Sequence, residues 1–253
     1  MNEHQVYDIL LIAVFVMAAV VFAVLFFISA PYGRHTRRGW GPRINSRLGW
    51  VIMESPAVIV FALCFAVGDR TTSMIPIAFL ILWQIHYIHR TYVFPFRMRW
   101  GRKHMTLFVM SLGFTFNAAN AYLNGRYINT IGSSYSSDWM TDPRFIIGVL
   151  LFFAGFAINH HSDGILRRLR TPGETGYKIP RGGLFERVSC ANYFGEIIEW
   201  CGWAIATWSL PGLAFAVWTA ANLVPRARAH HKWYPSQFPD YPQQRRALIP
   251  FVF

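Results

Sequence analysis

The sequence predicts an all-α membrane protein that crosses the bilayer seven times, with its N-terminus outside and its C-terminus in the cytoplasm. Of the 253 residues, 54% are hydrophobic and only 14% are charged, whereas soluble domains carry about 25% charged residues. Residues 9–28 contain no charged side chain, and about 20 such residues span the hydrocarbon core of a bilayer. Lipid is therefore expected to surround much of this chain.

Seven apolar segments alternate with polar connections. The first is too long for a typical cleaved signal peptide and is predicted to be a retained span. Leu210-Pro211-Gly212 separates the last two, which predicts a tight helical hairpin. No internal repeat or separate soluble domain is visible, so residues 1–253 are predicted to form a single integral membrane domain. The predicted spans cover residues 6–29, 48–67, 74–96, 105–123, 143–159, 189–209 and 211–225, each to within a few residues.

The placement of positive charge supports this topology. The net charge is +12, and twenty of the 24 Lys and Arg residues lie in the loops 30–47, 97–104 and 160–188 or after residue 225. Basic loops stay on the cytoplasmic side of a membrane, where part of their charge can meet anionic lipid. In a soluble protein such a charge would indicate nucleic acid. Here it marks one face of the membrane, and no nucleic-acid partner is expected.

Polar side chains inside the apolar segments are candidate functional groups, because lipid disfavours them. Glu54 lies about one turn inside an apolar helix, with no basic residue within four positions. Removal from water favours its neutral form, which can donate a hydrogen bond. The third segment adds a dense polar group around Tyr87, which covers more than one helical face. We expect some of these side chains to point toward other helices.

Amide and acidic residues recur at helical spacing. Asn159 and Asp163 are four residues apart, as are Asn192 and Glu196, so each pair lies on one helical face. The fourth segment carries asparagines at 117, 120 and 124, which are three and four residues apart and so also lie on one helical face. Those at 117 and 124 are interpreted as hydrogen-bonding groups between helices.

The sequence contains three pairs of histidines, which make metal binding one possible function. Imidazole suits iron, but membrane di-iron oxygenases have richer histidine boxes than this chain. Neighbouring histidines on a helix also point about 100° apart, so they do not easily share one metal. The three cysteines form no CxxC motif. We therefore predict no metal site. The pairs are His86 with His89, His160 with His161, and His230 with His231.

Binding of a phosphate-bearing cofactor is the second possible function. Segment 159–196 combines the amides and acids above with several cations, and Arg and Lys match phosphate groups. Asp and Glu can accept hydrogen bonds from ribose hydroxyls. The segment has neither a GxGxxG nor a GxxxxGK[ST] motif, so a Rossmann or P-loop site is excluded. A solvated basic loop with helix caps is the remaining alternative.

Several long stretches closely resemble the steroid 5α-reductase family. The longest runs from Ile158 to Glu186 and reads INHHSDGILRRLRTPGETGYKIPRGGLFE. The next, 191–216, reads ANYFGEIIEWCGWAIATWSLPGLAFA. One departure is visible, because the family commonly has Gln where Met53 stands. The other matching stretches are YGRH at 32–35, ESP at 54–56, HYIHRTYVFPF at 86–96, DWMTDPRF at 138–145, HHKWY at 230–234 and ALIPFVF at 247–253.

The resemblance implies a seven-helix membrane reductase that uses NADPH to reduce the C4–C5 double bond of 3-oxo-Δ4-steroids. It matches Glu54 and Tyr87 to the pair that holds the substrate ketone, while hydride reaches the β-carbon of the enone. The expected partners are a lipophilic steroid-like substrate and membrane lipid, and the protein is expected to act as a monomer. Matching cofactor positions are Arg102, Asn159, Asp163, Arg170, Tyr177, Lys178, Asn192, Glu196, Arg226, His230 and Tyr234.

Two other functions remain compatible with the residues alone. An isoprenyl-type membrane methyltransferase would bind S-adenosylmethionine, which carries no phosphate for the arginines. A non-catalytic sterol-binding function would not explain the polar residues of segment 159–196. The cofactor site is predicted on the cytoplasmic side of a multi-pass protein, in the inner membrane of a bacterium or the endoplasmic reticulum of a eukaryote.

Overall fold

The computed structural model describes residues 1–28, 41–98, 103–169, 174 and 176–253, and these are mostly helical. Strands β1 (Arg43–Asn45) and β2 (His104–Thr106) form an antiparallel ribbon. The helices are α1 Glu3–Phe27, α2 Ser46–Ala66, α3 Met74–Ile88, α4 Phe94–Arg97, α5 Leu107–Arg126, α6 Pro143–Arg168, α7 Ala191–Thr207 and α8 Leu210–Gln237. Two π-helical turns, His89–Val93 and Tyr127–Ile131, and two 3₁₀ turns, Ser137–Thr141 and Gly183–Glu186, complete the regular structure of these residues.

Three of the described helices, α1, α2 and α6, are long and apolar enough to cross a membrane. The chain is thus a helical membrane protein, while seven spans and the orientation of the termini stay predictions. The predicted third span, 74–96, is not one regular helix, because the π-helical turn His89–Val93 separates α3 from α4. Pro95 has no N–H to donate to the Thr91 carbonyl, so regular α-helical bonding is interrupted there.

Helices α6 and α8 continue well beyond the predicted spans 143–159 and 211–225. The first ends at Arg168 and the second at Gln237. A helix satisfies its backbone groups internally, so it does not have to end where the side chains become polar. Of the predicted site residues, these extensions carry Asp163, Arg226, His230 and Tyr234.

The chain divides into two compact units. Unit 1 comprises Met1–Ala13 and Pro31–Phe145, and unit 2 comprises Val14–Ala30 and Ile146–Phe253. The prediction of a single integral domain stays a prediction.

In unit 1, helices α2 and α5 pack closely and run in the same direction. A Cβ added at Gly113 would lie 2.5 Å from the Met53 side chain, and one at Gly125 would lie 2.7 Å from Cys64 Cβ. Each helix begins directly after one strand of the ribbon. The side chains of Asn45 and Thr106 cap them by accepting hydrogen bonds from backbone N–H groups of the first turn.

In unit 2, helices α7 and α8 form the predicted hairpin. The chain reverses at Trp208, which has a left-handed φ of 43°, and the Ser209 hydroxyl accepts a hydrogen bond from Gly212 N at 3.1 Å. The segment after α8 returns to residues 180–189. Its Arg245 side chain is buried and donates from Nη1 to the Pro180 carbonyl at 2.8 Å.

Candidate active site

Glu54 is a buried acid in α2, only 8% exposed. Asn117 of α5 donates from Nδ2 to Glu54 Oε2 at 3.1 Å and to the Met53 carbonyl at 2.9 Å. The sequence predicts a contact between helices at Asn117 but does not indicate that its partner is the acid. Met53 itself packs against Gly113.

Tyr87 lies at the level of Glu54 in an antiparallel hairpin formed by α2 and α3. Trp83 Nε1 donates to the Ala57 carbonyl at 2.8 Å, and this bond fixes the register of the two helices. Tyr87 is four residues after Trp83, and Glu54 is three residues before Ala57. Both positions therefore lie about one turn from that bond in the same direction. Trp50 of α2, whose Nε1 donates to the Arg90 carbonyl at 3.1 Å in the turn after α3, gives the same antiparallel register.

Aromatic rings enclose Tyr87, which is only 3% exposed. Its ring centroid is 4.8 Å from Trp83 and 4.9 Å from His86. Trp83 in turn stacks on Phe61 of α2, with centroids 4.6 Å apart. The phenol and the carboxyl of Glu54 are therefore polar groups in an apolar part of unit 1, where hydrogen bonds are stronger than in water.

In unit 2, the two amide–acid pairs predicted from spacing face each other. Asn159 of α6 donates from Nδ2 to the Asn192 carbonyl at 3.0 Å and to Glu196 Oε2 at 3.4 Å. Asn192 of α7 donates from Nδ2 to Asp163 Oδ1 at 3.1 Å. We call these four residues the amide–acid cluster. Its groups fix one another, so their orientation is set by the protein.

Glycines allow α6 and α7 to approach closely enough for these bonds. A Cβ at Gly195 would lie 2.5 Å from Asn159 N and 2.7 Å from the Gly155 carbonyl. Gly148 and Gly202 meet one another's backbones in the same way, two turns farther along. Small residues of this kind let membrane helices pack backbone to backbone.

Helix α8 places an arginine and a histidine against α7. The Arg226 guanidinium lies 5.3 Å from the centroid of the Tyr193 ring, and the Tyr193 hydroxyl is 3.3 Å from His230 Nε2. Tyr193 follows Asn192 directly on α7, and consecutive side chains of a helix point about 100° apart, so Asn192 faces α6 while Tyr193 faces α8. The sequence alone did not indicate Tyr193, because its neighbours on α8 are more than thirty residues away.

The remaining predicted cofactor residues are dispersed. Tyr177 is exposed, with its ring 5.0 Å from that of Trp233, and Lys178 forms an ion pair with Glu174. Tyr234 is buried and stacks on Tyr241, with centroids 5.0 Å apart, so its ring serves packing.

Arg102 and Arg170 lie outside the described residues. Among the residues that are described, no three His, Cys, Asp or Glu side chains are grouped as metal ligands.

Ser189 links α8 to the C-terminal segment, and sequence reasoning missed it. Its Oγ lies 2.6 Å from His231 Nδ1 and 2.6 Å from the Tyr241 hydroxyl. Burial and the positive charge of Arg246 lower the pKa of His231, and burial raises the pKa of Tyr241. Glu186, whose pKa is lowered by a hydrogen bond from Gly182 N, also pairs with Arg245.

The lowered pKa of His231 predicts acid sensitivity. Below the ordinary histidine pKa of about 6.5, the unfolded chain takes up this proton more readily than the folded protein does. The neutral His231 side chain therefore contributes to the free energy of unfolding above that pH, and this contribution is lost as the pH falls through the pKa of His231 in the folded protein. We expect the Tm to fall less on acidification in His231→Gln, which keeps an acceptor for Ser189, than in the wild type.

A matched control is His104→Gln, which removes an exposed imidazole of β2. Its Tm should follow the wild-type dependence on pH. Equal acid sensitivity of the His231→Gln variant and the wild type would contradict the assignment. The measurement is thermal unfolding of detergent-solubilised protein between about pH 5 and pH 8, the range in which histidines titrate.

Unit 1 contains a buried acid and a buried phenol among apolar helices, and unit 2 contains the amide–acid cluster. These features define a helical membrane protein with polar groups of the kind that enzymes use. Residues 103–253 match the family model described as 3-oxo-5-alpha-steroid 4-dehydrogenase. The chain therefore belongs to this family, the steroid 5α-reductases, and is an oxidoreductase.

Full-length relatives agree with the family model. The chain is 45% identical over 240 residues to 3-oxo-5-alpha-steroid 4-dehydrogenase 1 of Bos taurus, covering 93% of each chain. It is 46% identical over 224 residues to the Homo sapiens protein of the same name, covering 88% of this chain and 86% of the relative. It is 42% identical over 236 residues to steroid 5-alpha-reductase DET2 of Arabidopsis thaliana, covering 91% and 90%.

Proposed function

We propose that this protein reduces the C4–C5 double bond of a 3-oxo-Δ4-steroid, or of a similar lipophilic enone, with NADPH. The observation that carries the proposal is the placement of Glu54 and Tyr87 at one level of the α2–α3 hairpin, both buried. An acid and a phenol at this position are two donors for one ketone oxygen. Family membership supplies the reaction that such a pair would serve.

Tyr87 and Glu54 stabilise the charge that develops during reduction. When hydride adds to the β-carbon of an enone, negative charge moves to the ketone oxygen. The Tyr87 hydroxyl and the protonated Glu54 carboxyl donate hydrogen bonds to that oxygen. Fixed donors in an apolar site are effective here, and losing one from such an arrangement lowers the rate about 10²–10³-fold. A proton then adds to the α-carbon, and water is the proposed source.

The residues of unit 2 fit a dinucleotide. The amide–acid cluster offers acceptors for ribose hydroxyls and a carboxamide. Arg226 and His230, which contact Tyr193 of the same helix α7, suit phosphate groups. We assign Asn159, Asp163, Asn192, Glu196, Arg226 and His230 to this role, with Lys178, Arg102, Arg170 and Tyr177 as further contacts. Tyr234 would act only through packing. When bound, NADPH supplies the hydride.

We further propose that the chain crosses the membrane seven times, with its C-terminus in the cytoplasm. The basic loops would then lie on the side from which NADPH enters, while the enone arrives from lipid. The protein is proposed to act as a monomer. Met53, at the position where the family commonly has Gln, makes the neighbourhood of Glu54 more apolar and is expected to affect which enones are accepted.

Product analysis tests the function. Purified protein in detergent or vesicles is incubated with NADPH and a panel of Δ4-3-ketones, and products are identified by mass spectrometry and NMR. We expect a saturated 3-ketone for at least one steroid, formed only with a reduced dinucleotide. Stabilisation by S-adenosylmethionine but not by NADPH would favour the methyltransferase alternative. Stabilisation by a steroid alone, without turnover, would favour a carrier.

A further inference from the structure

We propose that Asn117 is a positioning residue for Glu54, and that it determines which carboxyl oxygen carries the acid proton. This inference rests on the proposed function, because it concerns how Glu54 donates to the ketone. It goes beyond the interpretation of Asn117 as a contact between helices. The amide of Asn117 reaches across from α5 to both the backbone and the acid of α2.

The orientation of the Asn117 amide follows from its partners. The Met53 carbonyl can only accept a hydrogen bond, so the atom 2.9 Å from it must be the NH₂ group. The same nitrogen lies 3.1 Å from Glu54 Oε2. Its two N–H groups are therefore directed to Met53 O and Glu54 Oε2. The assignment of Nδ2 depends on chemistry rather than on the similar shapes of the amide oxygen and nitrogen.

The direction of this bond fixes the position of the proton on Glu54. An oxygen that accepts a hydrogen bond uses one of its lone pairs, and in a neutral carboxyl group the carbonyl oxygen accepts better than the hydroxyl oxygen. Oε2 therefore serves as the carbonyl-like oxygen. The proton of the neutral acid is then located on Oε1. Without Asn117 the proton could occupy either oxygen, and the carboxyl could rotate. Asn117 thus orients the single O–H that the proposed mechanism requires.

Packing of α5 on α2 holds Asn117 in place. Gly113, Asn117, Ala121 and Gly125 recur every four residues, so they form one stripe along α5. At Gly113 and Gly125 an added Cβ would lie within 3.0 Å of α2 side chains, and Ala121 is fully buried. Asn117 is the polar member of this stripe, and the acid is one of the two partners of its amide group. If Asn117 served only to hold α5 against α2, hydrogen bonds to backbone carbonyls alone would be sufficient.

Two nearly isosteric variants test the proposal. Asn117→Leu removes both donors, and we expect kcat for an enone to fall about 10- to 100-fold, with the KM for NADPH within about twofold of wild type. Asn117→Asp can donate only while its own carboxyl is protonated. Its activity relative to wild type should therefore rise as the pH is lowered, whereas that of Asn117→Leu should not change with pH.

Asn124→Leu is the matched control. Asn124 lies two turns farther along α5, is also buried and donates from Nδ2 to the carbonyl and the side chain of Asn120. We expect its kcat to stay within about twofold of wild type, even if its Tm falls as much as that of Asn117→Leu. All rates are measured per folded molecule, with the folded fraction taken from size-exclusion chromatography.

The experiments distinguish failure of the positioning role of Asn117 from failure of the proposed function. A wild-type kcat for Asn117→Leu, or the same pH dependence for Asn117→Asp and Asn117→Leu, overturns the positioning role. The function stands in that case if the wild type still reduces enones and Tyr87→Phe does not. A wild-type protein that reduces no enone overturns the function itself.

Discussion

Tyr87→Phe is expected to lower kcat for enone reduction about 10²–10³-fold while NADPH binds with unchanged affinity. The substitution removes one hydroxyl and keeps the ring, so the contacts with Trp83 and His86 are retained. In the proposed mechanism, the lost group is a donor to an oxygen that becomes negative during the reaction. The effect should therefore appear in kcat more than in the KM of either substrate. Single-turnover rates at saturating NADPH provide the measurement.

Tyr92→Phe is the control for this prediction. Tyr92 lies in the π-helical turn after α3, is half-exposed, and its hydroxyl donates to Ser55 Oγ at 3.3 Å. Loss of that hydroxyl should leave kcat within about twofold of wild type, as expected for a substitution away from the reacting atoms. Enone reduction by Tyr87→Phe at the wild-type rate, with normal NADPH binding, would show that the phenol is not a catalytic donor.

Gly155→Ala is expected to destabilise the protein and to weaken NADPH binding by more than tenfold. Its Cβ would meet Glu199 N and the Gly195 carbonyl, which are backbone atoms of α7 and cannot rotate away. The two helices must then separate, and overpacking of this kind typically destabilises by about 1–3 kcal/mol. The bonds from Asn159 to Asn192 and Glu196 would lengthen in consequence. Tm and the Kd of NADPH measure the two effects.

Gly164→Ala supplies a matched substitution in the same helix. Its Cβ would be in ordinary contact with the end of the Arg168 side chain, at 3.6 Å. Alanine also favours helix over glycine, so Tm and NADPH affinity should be unchanged or slightly higher. Equal behaviour of the Gly155 and Gly164 variants would mean that close approach of α6 and α7 does not determine cofactor binding.

The helical class and the polar site on α6 and α7 follow from local features of the sequence. Apolar runs of membrane length define α1, α2 and α6. The four-residue spacing of Asn159 with Asp163, and of Asn192 with Glu196, predicts two faces that the structure brings together. These features are accessible because they depend on residues within one helix.

Features that depend on pairs distant in sequence could not be predicted in this way. Asn117 and Glu54 are 63 residues apart, and Arg245 and Pro180 are 65 apart. Nothing near either residue specifies its partner. The roles of Tyr193 and Ser189 follow from the α7–α8 hairpin and the return of the C-terminal segment. The third span is interrupted next to a single proline, Pro95. The apolar pattern of residues 74–96 alone does not predict this interruption.

Isotope transfer tests most directly the claim that this chain directs hydride from NADPH to an enone whose ketone is held by Glu54 and Tyr87. NADPH carrying deuterium at C4 of the nicotinamide is incubated with a Δ4-3-ketone that the protein reduces, and the product is examined by NMR. We predict deuterium at C5, the β-carbon, from one face of the nicotinamide only. Deuterium at C4 of the steroid, or none in the product with NADPH labelled on either face, would contradict the account.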